Sequence, residues 1–197
     1  MKKGLLAALL AVALVVPVFA ADKGDMEADV KLGLALNPSV SIKSRDLDFD
    51  MAFSLGADFF YYVDPAIAIG FGVDHIFNSE VKDGEGKIGY TNIYAQVKPV
   101  IDLENDIFNN IYFLGQIGYG LMHLDVSYDL DNSNGIYWSI GVGTTIKENF
   151  IVELLYSCAY GDMEGLEEDW LTGDIKKVTL DTTYSTIKLN VGYKFSL

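Results

Sequence analysis

The stretch "TIKLNVGYKFSL", residues 186–197, constrains the fold more than any other. Ile187, Leu189, Val191, Tyr193, Phe195 and Leu197 are apolar, and Lys188, Asn190, Gly192, Lys194 and Ser196 separate them. A two-residue period sorts the two kinds of side chain onto opposite faces of an extended strand. Soluble domains commonly end on polar residues that fray. This chain has a formal net charge of −14, yet its final strand is half oily, so that strand is expected to be paired.

The same period recurs along the chain. Val30, Leu32, Leu34 and Leu36 form one row, and Phe49, Met51, Phe53, Leu55, Ala57, Phe59 and Tyr61 the next. Ile67, Ile69, Phe71 and Val73 follow, then Thr91, Ile93, Ala95 and Val97, then Ile111, Phe113, Ile117, Tyr119 and Leu121. Ile136, Trp138, Ile140 and Val142, and then Val152, Leu154, Tyr156, Cys158 and Tyr160, precede the terminal strand. These are eight alternating segments with no helical period among them. The seventh is the least regular, because Leu155 interrupts its polar row. Connections alternate in length. "NPSVSIKSRD", "NSEVKDGEGKIG", "HLDVSYDLDNSNG" and "GDMEGLEEDWLTGDIKKV" are long, whereas "YVDP", "DLENDIFN" and "KEN" are shorter. The pattern predicts an all-β, eight-stranded antiparallel up-and-down barrel with two unlike ends. In transmembrane barrels the periplasmic turns are short and the extracellular loops long.

The N-terminus supplies the route to that location. Lys2 and Lys3 precede an apolar run from Leu5 to Val16, and Val18 and Ala20 are small residues placed for cleavage. This is the pattern of a secretory signal peptide. An uncleaved anchor is the alternative, but the run falls short of the roughly 20 residues a spanning helix needs. Residues 1–20 are therefore expected to be a cleaved signal peptide and residues 21–197 the barrel domain. Two basic residues and no acids leave with the peptide, so the charge moves from −14 to −16. That disfavours nucleic acid as a partner. Cys158 is the single cysteine, which excludes an internal disulfide and, being far from the cleavage point, a lipoprotein anchor.

Alternation alone does not say which face meets the core. The second face decides. It carries Ala68, Gly70 and Gly72 on the third segment, Gln116, Gly118 and Gly120 on the fifth, and Tyr137, Ser139, Gly141 and Gly143 on the sixth. Glycine weakens a solvent-facing strand and gains nothing there. Inside an eight-stranded barrel, where side chains barely fit, small residues are needed; Gly33, Gly56 and Gly192 fit the same reading. The polar face also holds Asp29, Asp50, Asp58, Asp74 and Glu153 against Lys31, Lys98, Lys188 and Lys194, which are expected to pair in a narrow lumen filled further by Tyr90, Tyr94, Gln96 and Tyr137. The apolar face is nearly free of charge, and aromatics such as Phe59, Tyr61, Tyr156, Tyr160, Tyr193 and Phe195 collect near strand ends, as at membrane interfaces. Apolar side chains are thus expected to face lipid, with the last strand closing on the first because an open edge in hydrocarbon leaves backbone groups unsatisfied.

These residues resemble the small eight-stranded outer-membrane β-barrel family of the OmpA-barrel and OmpX type. Asn190, Gly192, Phe195 and Leu197 fit its C-terminal signal. The resemblance implies that this strand is read by the outer-membrane assembly machinery, although family members usually end on an aromatic residue. It also implies roles in envelope integrity, adhesion or surface recognition. Pro99, on the lipid-facing row, is an irregularity tolerated near a strand end.

Few residues invite chemistry, and no catalytic, cofactor or metal residue is assigned. His123, Asp125 and Ser127 superficially resemble a rim hydrolase, but His123 and Ser127 lie about 13 Å apart on an extended strand. His75 reads as a polar rim residue and Cys158 as a small apolar one. Asp162, Glu164, Glu167, Glu168, Asp169 and Asp174, with Asp125, Asp129 and Asp131, make the loops acidic; weak divalent-cation binding is the most that arrangement offers, because "DLDNSNG" lacks the closing glutamate of a calcium loop. Leu166 and Trp170 are candidates for contact with an external partner or the membrane surface. The glycines of "IAIGFGVD" have strand spacing and no following helix, so they do not form a nucleotide loop. The expectation is a cofactor-free, non-enzymatic structural or surface-interaction barrel in the outer membrane, bounded by lipid. A narrow pore, a lipid-modifying rim enzyme and a secreted ligand-binding barrel are the alternatives.

Overall fold

Branched and aromatic side chains at every second position favour extended backbone, and the chain forms strands almost throughout. The computed structural model describes residues 22–42, 45–82, 86–103, 107–125, 134–147, 149–168 and 175–197. Its strands are β1 (Met26–Ile42), β2 (Arg45–Asp48), β3 (Ala52–Asp64), β4 (Ile67–Glu80), β5 (Lys87–Asp102), β6 (Phe108–Asp125), β7 (Asn134–Ile146), β8 (Phe150–Glu168) and β9 (Ile175–Ser196). β2 folds back on the upper end of β1, pairing Ser39 with Asp48 and Ile42 with Arg45. The other eight are antiparallel neighbours in chain order, and β9 returns to β1. The seam runs from Glu27↔Ser196 to Ile42↔Thr182. It is broken once, between Leu36 and Ser39, where Asn37 takes a φ of 46°; asparagine tolerates that left-handed geometry. No helix among the described residues could cross a membrane, so the crossing elements are strands.

The faces sort as the alternation predicts. Leu32, Phe71, Ile117, Ile140 and Val191 are exposed on the outside, while Gln116, Tyr137, Glu153 and Lys188 are buried inside. Leu155, out of place in a polar row, packs inside with Phe60, Tyr112 and Leu114. From Ile111 to Leu121 the outward row of β6 rises about 33 Å, or about 25 Å of membrane depth at a usual tilt. That equals the apolar band of an outer-membrane barrel. Pro99 sits opposite Ile67, close to the end of β5. The β5–β6 register holds on either side of it, at Val97↔Gly115 and Val100↔Tyr112.

The strands run further than the sequence suggests. Part of each stretch read as an external loop is paired ladder, including Met163↔Leu180 to Glu168↔Ile175 between β8 and β9. Cross-strand hydrogen bonds, once in register, continue into water whatever the side chains, and the patterning inverts as they do. On β1 the outward row changes from Leu32 and Leu36 to Ser39 and Ser41, while Val40 turns inward and is buried. On β9 Ile187 gives way to Ser185 and Thr183, with Tyr184 inside. On β5 Ile93 gives way to Thr91, with Tyr90 and Ile88 inside. Above this level an apolar cluster of Val40, Phe49, Ile76, Ile88, Tyr90, Met122 and Tyr184 fills the barrel, as water outside requires. The level of inversion marks the external membrane surface.

Two expectations fail at one place. Phe49, expected on the lipid face, is buried in that upper cluster and bridges to Val81. Asp50, expected in the lumen, is exposed. Asp50 and Met51 lie outside any strand, so the two-residue alternation does not carry across them to Phe49.

Ile117→Arg, in the middle of the lipid band, is expected to destabilise the barrel by about 2–4 kcal/mol. Thr183→Lys, above the inversion, should change stability by about 0.5 kcal/mol or less. Urea unfolding of the lipid-reconstituted barrel measures both.

Candidate functional site

The lumen is where the chain concentrates polar chemistry. β1 contributes Glu27, Asp29 and Lys31, β3 Asp58, β4 Asp74, β5 Lys98, β8 Glu153, and β9 Lys188 and Lys194, all buried. The Lys31 ammonium donates to Asp58 and to Glu153 Oε2 at 3.0 Å. Lys98 pairs with Glu27 and lies over the rings of Phe60 and Tyr112, at 4.4 and 4.5 Å from their centroids. Lys188 pairs with Asp74 Oδ2 at 3.0 Å.

Neutral donors complete the network. Tyr94 Oη donates to Asp58 Oδ1 at 2.9 Å, Tyr62 Oη to Glu27 at 2.8 Å, and Asn92 Nδ2 to Asp74 Oδ1 at 3.1 Å. Asn190 Nδ2 and Tyr112 Oη both donate to Glu153, each at 3.2 Å. Tyr137 and Gln96 bond to Gln116, each at 3.0 Å. Such saturation is needed for a charge held out of water to be tolerated.

The glycine rows receive these rings. A Cβ at Gly72 or Gly118 would strike Tyr94, one at Gly120 would strike Tyr90, and one at Gly143 would strike Tyr112. The space left between Lys31, Asp74, Lys188 and Asn190 is about 10 Å³, room for a single water.

Tyr90, Tyr94, Gln96 and Tyr137 fill the lumen as expected. Glu27 is the charged group that sequence reading missed, and its signal was present: it shares the parity of Asp29 and Lys31, one step below the apolar row that begins at Val30. Asp29 behaves differently from its neighbours. Neither of its buried carboxylate oxygens has a hydrogen-bond partner, and Lys98 Nζ is 3.9 Å away. Asp29, Asp58 and Glu153 bring ligand oxygens within 4.8 Å of one another, but the Lys31 ammonium already bridges Asp58 and Glu153. A metal ion there would have to displace it. Among the described residues the lumen thus holds five carboxylates against four ammonium groups.

On the exterior, His75 bonds through Nδ1 to Thr91 Oγ1 at 2.9 Å and meets the Phe77 ring edge-on. No acid orients it. His123 is exposed, opposite Gly89. Ser127, Asp129, Asp131, Asp169, Trp170 and Asp174 lie outside the described residues. Glu167 is opposite Lys176 and Leu166 opposite Lys177 in the β8–β9 ladder. Cys158 keeps the outward parity expected of it but is buried, directly opposite Trp138.

A closed eight-stranded cylinder, oily outside and ionic within, defines a transmembrane β-barrel of the outer membrane. The chain belongs to the outer membrane protein beta-barrel domain family, whose model matches residues 6–195. The outer membrane protein OprG from Pseudomonas aeruginosa is similar in fold, at 13% identity and a TM-score of 0.54, covering 91% of this chain and 99% of that one. Ail, the attachment invasion locus protein of Yersinia pestis, solved with the heparin analogue sucrose octasulfate, is similar at 15% identity and a TM-score of 0.53, covering 87% and 99%. No curated protein matches the chain in sequence.

The two lumen aspartates should respond oppositely to neutral replacement. Asp58→Asn strips the Lys31 ammonium of a partner and is expected to cost about 3–5 kcal/mol. Asp29→Asn removes the surplus carboxylate and should leave stability unchanged or raised. Unfolding midpoints in the same lipid compare them directly.

Proposed function

We propose that this barrel is a structural and surface-interaction protein of the outer membrane, without enzymatic activity, whose lumen is a plug and not a path. The observation that carries this reading is the continuity of the filling: a buried ion-pair layer below and a packed apolar cluster above. Residues 1–20 would serve as the cleaved signal peptide, and the strand ending in Phe195 and Leu197 would be read by the assembly machinery.

The part that works on the outside is the acidic upper barrel. Asp46, Asp48, Asp50, Glu80 and Asp162 are exposed there, on a chain of net charge −14. Charge of this sign repels polyanions and attracts cationic partners. The sulfated ligand of Ail is therefore not carried over to this chain; a cationic surface is the complementary partner. Weak binding of divalent cations to the same acids is compatible with that role.

Reconstituted in planar bilayers, the barrel is expected to show no steady conductance. Large, long-lived open-channel steps would favour the pore reading instead. In pull-downs, immobilised polylysine should retain the barrel in a salt-sensitive manner and immobilised heparin should not. Retention by heparin alone would overturn the assignment of partner charge.

A further inference from the structure

The lipid-facing surface is not uniform. On β7 the outward row is small in its periplasmic half, at Val142 and Thr144, and Gly115 on β6 adds no side chain. Phe113 and Ile111 stand on one side of this line, directly across from Val142 and Thr144, and Leu154 stands on the other. The result is a trough made of two grooves, of about 630 and 480 Å³, that share Val142 and Leu154 and reach Val97 and Pro99 on β5 and Ile187 and Leu189 on β9. Towards mid-membrane the surface fills again, where Trp138 packs on Tyr156 at 5.7 Å between ring centroids.

The dimensions match half a bilayer. From Gly115 to Phe108 on β6 the trough covers about 23 Å along the strand, or about 18 Å of depth at a usual tilt. One leaflet of hydrocarbon is about 15 Å thick. The lower mouth carries charge of both signs. Lys147 is exposed in the β7–β8 turn, which its amide anchors to the Ile107 carbonyl at 3.0 Å. Asp102 is exposed at the end of β5, opposite Asn110, which itself pairs with Thr145 two residues before Lys147.

We propose that the β6–β8 trough is a binding site for one zwitterionic phospholipid of the periplasmic leaflet, with an acyl chain lying along β7, its phosphate at Lys147 and its primary ammonium at Asp102. The rest of the apolar band is solvated by exchanging lipid; this face holds one molecule. The trough supplies van der Waals contact on three sides of a chain where a flush surface supplies one. The paired charges at its mouth select the headgroup. The site depends on membrane location and not on what the exterior binds.

The test is lipid retention by the intact barrel, read by native mass spectrometry after detergent purification and addition of phosphatidylethanolamine or phosphatidylglycerol. One phosphatidylethanolamine per barrel is expected to survive washing. The double variant Gly115→Leu, Val142→Phe fills the trough and should reduce retention at least about tenfold, equivalent to about two methylene groups kept out of contact. Lys147→Gln should reduce it about fivefold, as for one lysine at a lipid surface. Leu55→Phe, on β3 across the barrel, should change nothing, and gel migration with and without boiling confirms that each variant is folded. Loss of all lipid from the wild type, or equal retention by the filled variant, would overturn the site. Equal retention of phosphatidylglycerol would overturn the headgroup assignment. A barrel dimer that displaces the lipid would make a second copy the occupant and overturn it likewise.

Discussion

Backbone hydrogen bonding in hydrocarbon is the constraint from which the rest of this structure follows. An amide left unpaired in the membrane core costs several kcal/mol, so a strand there needs a partner on each side. A cylinder supplies them all, provided the last strand reaches the first. β9 does so along nearly the whole length of β1, through one irregularity at Asn37. Closure then dictates the alternation, since each successive side chain must face either lipid or lumen.

The lumen is the harder problem. Charges placed there leave water, and the protein tolerates them by pairing them across strands: Lys31 from β1 with Asp58 from the adjacent β3 and Glu153 from β8, and Lys188 from β9 with Asp74 from β4. The bonds of Lys31 to Glu153 and of Lys188 to Asp74 tie together strands that share no ladder. Asp29 is the exception, buried with no hydrogen bond. Above the membrane, water replaces lipid outside and apolar residues replace ions inside. The same eight strands therefore carry two opposite patterns, stacked end to end.

Much of this was legible beforehand because a period of two is a local property. The lipid row of Leu189 and Val191, the lumen berths of Gly72 and Gly118, and the presence of Tyr94 inside all follow from parity and size. Parity fails where backbone leaves the strand, which is why Phe49 and Asp50 were placed on the wrong sides. Glu27 lies below Val30, the first apolar member of its row, where no alternation marks it as part of the strand. The extent of the ladders was also understated, since acidic and glycine-rich stretches read as loops, whereas pairing with a neighbour holds them extended.

What the amino-acid order determined alone was the fold class, the outward face and most of the lumen charges, because each depends on spacing within a single strand. Which lysine meets which carboxylate, which aspartate is left without a hydrogen bond and where Val142 and Gly115 open a trough were decided only by the closed barrel. Those outcomes depend on the stagger between strands, which brings together residues more than a hundred positions apart, such as Lys31 and Glu153. No local pattern encodes that stagger.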